Sequence, residues 1–332
     1  MNPKVSIIVP IYNVSAFIER CAISLFEQTF VDIEYIFVND CTPDDSVVKL
    51  ERIIENYPDR KKQTKIIHHD TNKGLASARN TGSTKSTGEF ILNIDSDDYI
   101  DVEMVEIMYK KAIDNNSDIV VCDFLIEWEK VYKLFPQKFN ENGDDYACTL
   151  LKCEAMPGVV NKLIKRELYC MIKPIEGVNY GEDYVTTTRL AYYSKGISKV
   201  DRAFYHYIQY NSYAYTKKIS IKNISDIVKV FEVIDSFYEQ LPDTHKIKKA
   251  IKYGKLQKKA ILLIEVSNEM RQDIMHLFPE TLNYRLNDLN ILFIYKVCLY
   301  LSNKQNILFL NIVCSLYIKL LNFVQLLKGR KS

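Results

Sequence analysis

The eight cysteines of this chain, Cys21, Cys41, Cys122, Cys148, Cys153, Cys170, Cys298 and Cys314, include no CxxC pair. That spacing argues against a zinc site or a disulfide framework. Several fall within apolar patterns, as small buried hydrophobes do. The glycines form neither a GxGxxG cluster nor a Walker A lysine loop, which speaks against a dinucleotide-dependent dehydrogenase and a P-loop kinase. There is no internal repeat and no low-complexity tract. The stretch over residues 1–4 leads into a strand-like run that reaches Pro10 too soon for a signal-peptide core. Secretion is therefore disfavoured, and a reducing cytoplasm is expected. Long hydrophobic runs are missing as well. The apolar stretches 291–301 and 307–327 are interrupted by Lys296, Asn311, Lys319, Asn322 and Gln325. A spanning helix needs about 20 nearly unbroken apolar residues, and a central lysine is costly there.

The 332 residues, 47% of them hydrophobic, suffice for a large domain and an appendage. The net charge of +2 hides an asymmetry. Residues 1–216 carry 25 basic against 32 acidic side chains, a net −7, and residues 217–332 carry 19 against 10, a net +9. The two parts are expected to face different partners, with no nucleic acid among them.

Short β-branched or aromatic runs at 5–9, 35–38, 65–68, 90–94 and 119–122 predict buried strands. Helical stripes lie between them. Phe17, Ile18, Cys21, Ala22, Leu25 and Phe26 mark one, Val47, Leu50 and Ile54 a second, and Val105, Met108 and Ala112 a third. Such alternation predicts an α/β fold, a mainly parallel sheet flanked by helices, whose ligands bind at the carboxyl ends of the strands. Residues 10–13, 39–41 and 95–98 fall at those ends. Residues 124–160 lose the pattern, and 221–327 read as helical and increasingly apolar.

Asp95, Asp97 and Asp98 crowd three carboxylates behind the run ending at Ile94. Such repulsion calls for a cation or a hydrogen-bonded ligand. A solvated loop or a helix cap is the plainer alternative. A second acidic group appears at Glu182 and Asp183.

Taken together, VSIIVPIYNV (5–14), YIFVND (35–40), NKGLASARNTG (72–82), GEFILNIDSDD (88–98) and GED (181–183) resemble the family 2 glycosyltransferases in order and approximate spacing. The likeness covers roughly residues 4–216. It implies a GT-A fold over 1–216 and transfer of a sugar from a nucleotide sugar, UDP-linked, with inversion. By the same resemblance Pro10 and Tyr12 wall a base pocket, Asp40 accepts the uracil imide, and Arg79 meets the nucleotide or its diphosphate. Asp95 would meet the ribose and Asp97 a Mn²⁺ or Mg²⁺ ion as the DXD motif. Asp183 would be the base that deprotonates the acceptor, with Glu182 orienting it. His206 would either complete the metal shell or pack between its tyrosines. Where the family shows two Asp and then Gly-Ser, this chain has Asn39, Asp40, Cys41 and Thr42. Ile208 replaces a frequent basic residue, which leaves Lys217 or Lys218 for phosphate, or no such contact at all. The segment 161–168 fits a family block bordering the acceptor, and an amphipathic helix equally.

Residues 217–332 then read as a basic, apolar helical region. With the cations of 246–259 and Lys328, Arg330 and Lys331, it is expected to lie on anionic lipid at the cytoplasmic face of the plasma membrane, each nearby cation adding about 1 kcal/mol. The alternatives are a helical bundle or a homodimer surface. By the family resemblance, the expected acceptor is a lipid-linked glycan of surface polysaccharide synthesis. A polyprenyl-phosphate sugar transferase and a catalytically silent membrane-associated binding module are the competing readings.

Overall fold

The computed structural model describes residues 3–129, 131–175, 177–211, 219–242 and 245–329. The chain forms two compact units, residues 1–150 with 154–218, and residues 151–153 with 219–332.

Strands and helices follow one another as β1 (Val5–Ile11), α1 (Ile18–Phe26), β2 (Ile33–Asn39), α2 (Ser46–Glu55), α3 (Pro58–Lys61), β3 (Thr64–His68), α4 (Leu75–Lys85), β4 (Phe90–Asn93) and β5 (Tyr99–Ile100). Then come α5 (Met104–Asp114), β6 (Ile119–Trp128), β7 (Val131–Phe135), α6 (Gly143–Leu151), β8 (Lys162–Lys165), α7 (Arg166–Met171), α8 (Glu182–Tyr193) and β9 (Ile197–Ile208). Among the described residues the strands form one sheet in the order β3-β2-β1-β4-β8-β6-β9-β5, with β7 paired to β6.

Every residue of β1 is buried, as befits a central strand covered on both faces. Strands β3, β2, β1 and β4 run parallel. The order turns about β1: β2 and β3 extend to one side and β4 to the other. A crevice therefore opens at the carboxyl ends of β1 and β4, where such sheets take their ligands. Beyond β4 the sheet becomes mixed, with β8 antiparallel to both β4 and β6, and β9 parallel to β6. The expected helical stripes become α1, α2 and α5, whose Cys21, Leu25, Leu50, Ile54, Val105 and Met108 join the core.

Three stretches differ from the sequence expectation. The run at 65–68, expected as a buried strand, forms β3 at the edge of the sheet and has no buried residue. The strand expected at 119–122 runs on to Trp128 as β6, with an irregular register at Asp123 where it meets β9. An amphipathic helix over 161–168 is not formed; the chain makes strand β8 and then the short helix α7.

The second unit holds α9 (Ile221–Glu239), α10 (His245–Glu265), α11 (Asn268–Met275), α12 (Phe293–Asn303) and α13 (Ile307–Gly329). Ser220 caps α9 through a reciprocal pair of hydrogen bonds with Asn223. Arg271, 2% exposed, donates to the carbonyls of Leu263 at 2.6 Å and Val266 at 3.0 Å, satisfying the end of α10. Lys259 does the same for Met275 and Leu277, each at 2.8 Å. Lys255 is paired with Asp235 and Glu280 at 2.5 Å each. Lys255 and Lys259 are thus buried, 5% and 1% exposed, and are not available to a lipid surface as expected from the 246–259 stretch. Helix α13 instead exposes Leu308, Phe309, Ile312, Leu316 and Leu320. No described helix is long and apolar enough to cross a membrane.

Candidate active site

A cleft of about 390 Å³ lies at the carboxyl ends of β1, β2 and β4. Its lining includes Pro10, Tyr12, Asp40, Asp95, Asp97 and Asn211. Tyr12 is 48% exposed, so its ring offers a free face to a planar ligand.

The turns that build this cleft are tied to one another. Asp44 accepts from Thr42 Oγ1 at 2.7 Å, Ser46 Oγ at 2.5 Å and the Ser15 amide at 2.8 Å, joining the loop after β1 to the loop after β2. Burial raises the Asp44 carboxyl, but these hydrogen bonds outweigh it and leave the group below its usual value. Asn39 accepts from the Thr42 amide at 2.9 Å and contacts His68 Nδ1 at 3.0 Å, so it shapes the turn. Cys41 follows with φ +57°, a left-handed conformation in the position where the family pattern has glycine.

Asp40 is 3% exposed and receives His69 Nδ1 at 2.7 Å and the amides of Lys73 and Gly74 at 2.8 and 2.7 Å. It thereby fixes the entry to α4, the helix that carries Arg79. Gly74 stands at that entry with φ +86°, and a Cβ there would meet Asn179 Oδ1 at 2.5 Å. Only glycine satisfies both constraints.

The three aspartates after β4 separate by environment. Asp98 is 0% exposed and accepts from the Ile208 amide at 2.7 Å and from the Tyr205 hydroxyl. It is a strut between the 95–98 turn and β9. Burial, then the charges of Asp97 and Asp95, push it well above the ordinary carboxyl value. Asp97 faces the cleft, its Oδ2 accepting from Asn211 Nδ2 at 2.8 Å. Burial and then the Asp95 charge raise it to about 6. Among the described residues no three or more His, Cys, Asp or Glu side chains converge on a metal position. Asp97 would therefore hold a cation only together with ligand oxygens and water, the habit of Mg²⁺ and Mn²⁺.

Arg79, 4% exposed, ties the cleft to a neighbouring cavity of about 150 Å³ lined by Tyr169, Glu182 and Asp183. Its Nη2 donates to Asp95 at 2.7 Å, and its Nη1 to Glu182 at 2.8 Å and to Asp183. One guanidinium thus gathers three carboxylates from β4's end and the first turn of α8. Burial, and next the Asp183 charge, drive Glu182 well above the ordinary value, against the pull of Arg79. Glu182 and Asp183 therefore have unequal surroundings: Glu182 is 8% and Asp183 25% exposed at the side chain.

His206 sits elsewhere. Its ring nitrogens meet Glu127 at 2.7 Å and Asp101 at 2.9 Å, and the ring stacks on Tyr99 at 4.1 Å. It is the packed side chain of the two alternatives. Ile208 lines the cleft, and Lys217 and Lys218 lie outside the described residues. Asn211, Tyr205 and Asn179 were not singled out from sequence. Long-range folding alone brings Asn211 and Asn179 to the cleft and sets the buried Tyr205 against Asp98 behind it.

The Glycosyl transferase family 2 model matches residues 6–168. EpsJ of Bacillus subtilis (strain 168), named an uncharacterized glycosyltransferase, is 48% identical over 124 residues, 37% of this chain and 35% of its own length. EpsH of the same organism, also named a glycosyltransferase, is 33% identical over 215 residues, 62% of this chain and 61% of its own. The matched region thus spans between about a third and three fifths of these relatives. Among solved structures, Staphylococcus aureus TarS 1–349 in complex with UDP-GlcNAc superposes with a TM-score of 0.72 at 20% identity, covering 95% of this chain and 92% of that one. This likeness shows the GT-A fold. Residues 6–168, just under half of the chain, are thus a glycosyltransferase family 2 region.

Proposed function

We propose that this protein is an inverting, metal-dependent glycosyltransferase. It moves a sugar from a UDP-sugar to a hydroxyl of a lipid-linked glycan in surface polysaccharide synthesis. The observation that carries the reading is the Arg79 bridge, which joins Asp95 of the cleft to Glu182 and Asp183. Donor and base are thereby held a single side chain apart. That separation suits one displacement, in which base and leaving group work on opposite faces of the sugar.

The donor lies in the larger cleft, its base against Tyr12 and Pro10, with Asp40 beside it and Asp95 at the ribose. Asp97 would hold Mn²⁺ or Mg²⁺ there, which offsets the charge that grows on the departing diphosphate. The acceptor oxygen attacks the anomeric carbon, its proton passes to Asp183, and the anomeric C–O electron pair leaves with UDP. Glu182, whose charged form is disfavoured by burial and by the Asp183 charge, orients this centre, and the more exposed Asp183 is the base. Arg79 keeps the neighbouring carboxylates from repelling one another.

The cationic tail and the exposed apolar face of α13 support a peripheral seat on the cytoplasmic face of the plasma membrane. The test is UDP binding by calorimetry with and without Mn²⁺. Mn²⁺ should tighten binding to the wild type, and Asp97→Ala should abolish that gain. Equal affinity with and without metal in both proteins would remove the role given to Asp97.

A further inference from the structure

Lys162 is among the largest side chains completely withdrawn from solvent, at 1% exposure. A buried ammonium persists only where its donors are used. Its three are spent on the carbonyl oxygens of Met156, at 2.8 Å, and Gly158, and on Asn161 Oδ1 at 2.8 Å. The same turn is met from its other side by Thr187, one helical turn beyond Asp183 on α8, whose single hydroxyl proton is shared between the Asp183 carbonyl at 2.7 Å and the Pro157 carbonyl at 2.8 Å. The Met156 amide donates to Gln137 Oε1 at 2.9 Å. Residues 156–158 are thus tied by four hydrogen bonds, one of them shared, although they belong to no helix or strand.

What this turn faces gives it a role. A Cβ built on Gly158 would lie 3.7 Å from Asp183 Oδ2. Asp183 Oδ1 is already taken by Arg79. Oδ2 is therefore the oxygen left to receive a proton, and a residue without a side chain stands opposite it.

We propose that Lys162 is a positioning residue: it pins the 156–158 turn so that Gly158 leaves, in front of Asp183 Oδ2, the room that an attacking hydroxyl or water requires. The inference rests on the reading of Asp183 as the base. Without Lys162 the turn would be free to move onto Oδ2, and a side chain at 158 would fill the same space directly. In the step served, the attacking oxygen bonds to the anomeric carbon, its proton goes to Oδ2, and the anomeric C–O pair departs with UDP.

The test uses the full chain with Mn²⁺ and follows UDP release from UDP-GlcNAc, UDP-glucose and UDP-galactose, with water as acceptor. Lys162→Met should lower kcat by about tenfold or more and Gly158→Ala by about threefold, with KM and UDP affinity within about twofold of wild type. A structural lesion would instead move KM, affinity and thermal midpoint together. Should Lys162→Met fail to fold, Gly158→Ala decides alone, because its methyl meets neighbours no closer than 3.5 Å. A kcat within about twofold of wild type in the folded variants, or KM rising in step with the loss, overturns the inference. No UDP release by the wild type from any of the three donors removes the glycosyl-transfer reading itself, and the inference with it.

Discussion

At the scale of single residues, chemistry and conformation divide the acidic side chains more finely than sequence spacing does. Asp95, Asp97 and Asp98 are equivalent letters after one strand, yet Asp98 is consumed by Tyr205 and Ile208 while Asp97 faces the cleft. The partners that separate them come from β9 and from Asn211, more than 100 residues away in the chain. That information is absent from the local motif. Asp40, Arg79 and Asp183 stand out in the sequence because their blocks keep the family order; the contact between Arg79 and Asp183, and the anchoring of α4 by Asp40, are visible only in the structure. Cys41 offers a direct stability test. A left-handed non-glycine residue costs about 1–2 kcal/mol, so Cys41→Gly should raise the urea midpoint by an amount corresponding to about 1 kcal/mol. Lys162 offers another. Burial lowers its ammonium to about 7, against the pull of Asp183 and Cys122, from an unfolded value of 10.5. Between those values the unfolded chain holds a proton that the folded chain does not, so this group makes stability rise with pH across that window. Lys162→Met removes that contribution. Its stability relative to wild type should be greatest near pH 6 and decline towards about pH 9, measured by urea unfolding at both.

At the scale of elements, β1, β2 and β4 announced themselves through buried apolar runs, and α1, α2 and α5 through their stripes, whereas the parallel edge strand β3 is not buried. The mixed half did not announce itself. Strand β8 has only four residues, two of them lysines, one buried, so its composition suits an exposed helix as well as a strand. Strand β9 contains Lys199, Asp201 and Arg202, and its identity depends on pairing with β6 across more than 70 residues of chain. The sequence likewise could not tell that Glu182 and Asp183 open a helix rather than a solvated turn. Arg79 is the link among these elements, since α4, the end of β4 and α8 meet at its guanidinium. Removing one partner of a buried ionic cluster leaves the others uncompensated, typically at a cost of about 3–5 kcal/mol. Arg79→Ala should lose about that much by chemical denaturation, with UDP affinity falling as well.

At the scale of the whole molecule, the charge division along the sequence was visible from composition, but not which cations are free. Lys255 and Lys259 turn inward to pair with acids and cap helix carbonyls. The exposed apolar row of α13 is what the proposed membrane seat rests on. From residue 289 to 332 the chain has no acidic residue, which favours an anionic lipid surface over a second copy of the same cationic segment. Wild-type protein should cosediment with vesicles containing phosphatidylglycerol and be released by high salt. The double variant Leu316→Glu, Leu320→Glu should stay in the supernatant while keeping wild-type affinity for UDP. Equal sedimentation of both proteins would dismiss this surface.

The most direct measurement is single-turnover cleavage of a UDP-sugar, with Mn²⁺ and saturating enzyme, by wild type and Asp183→Asn. If Asp183 takes the proton, the variant binds UDP as tightly as wild type and cleaves about 10²–10⁴-fold more slowly. Cleavage at the wild-type rate by a variant that still binds UDP would contradict the assignment of the base, and with it the division of labour between the two sides of Arg79.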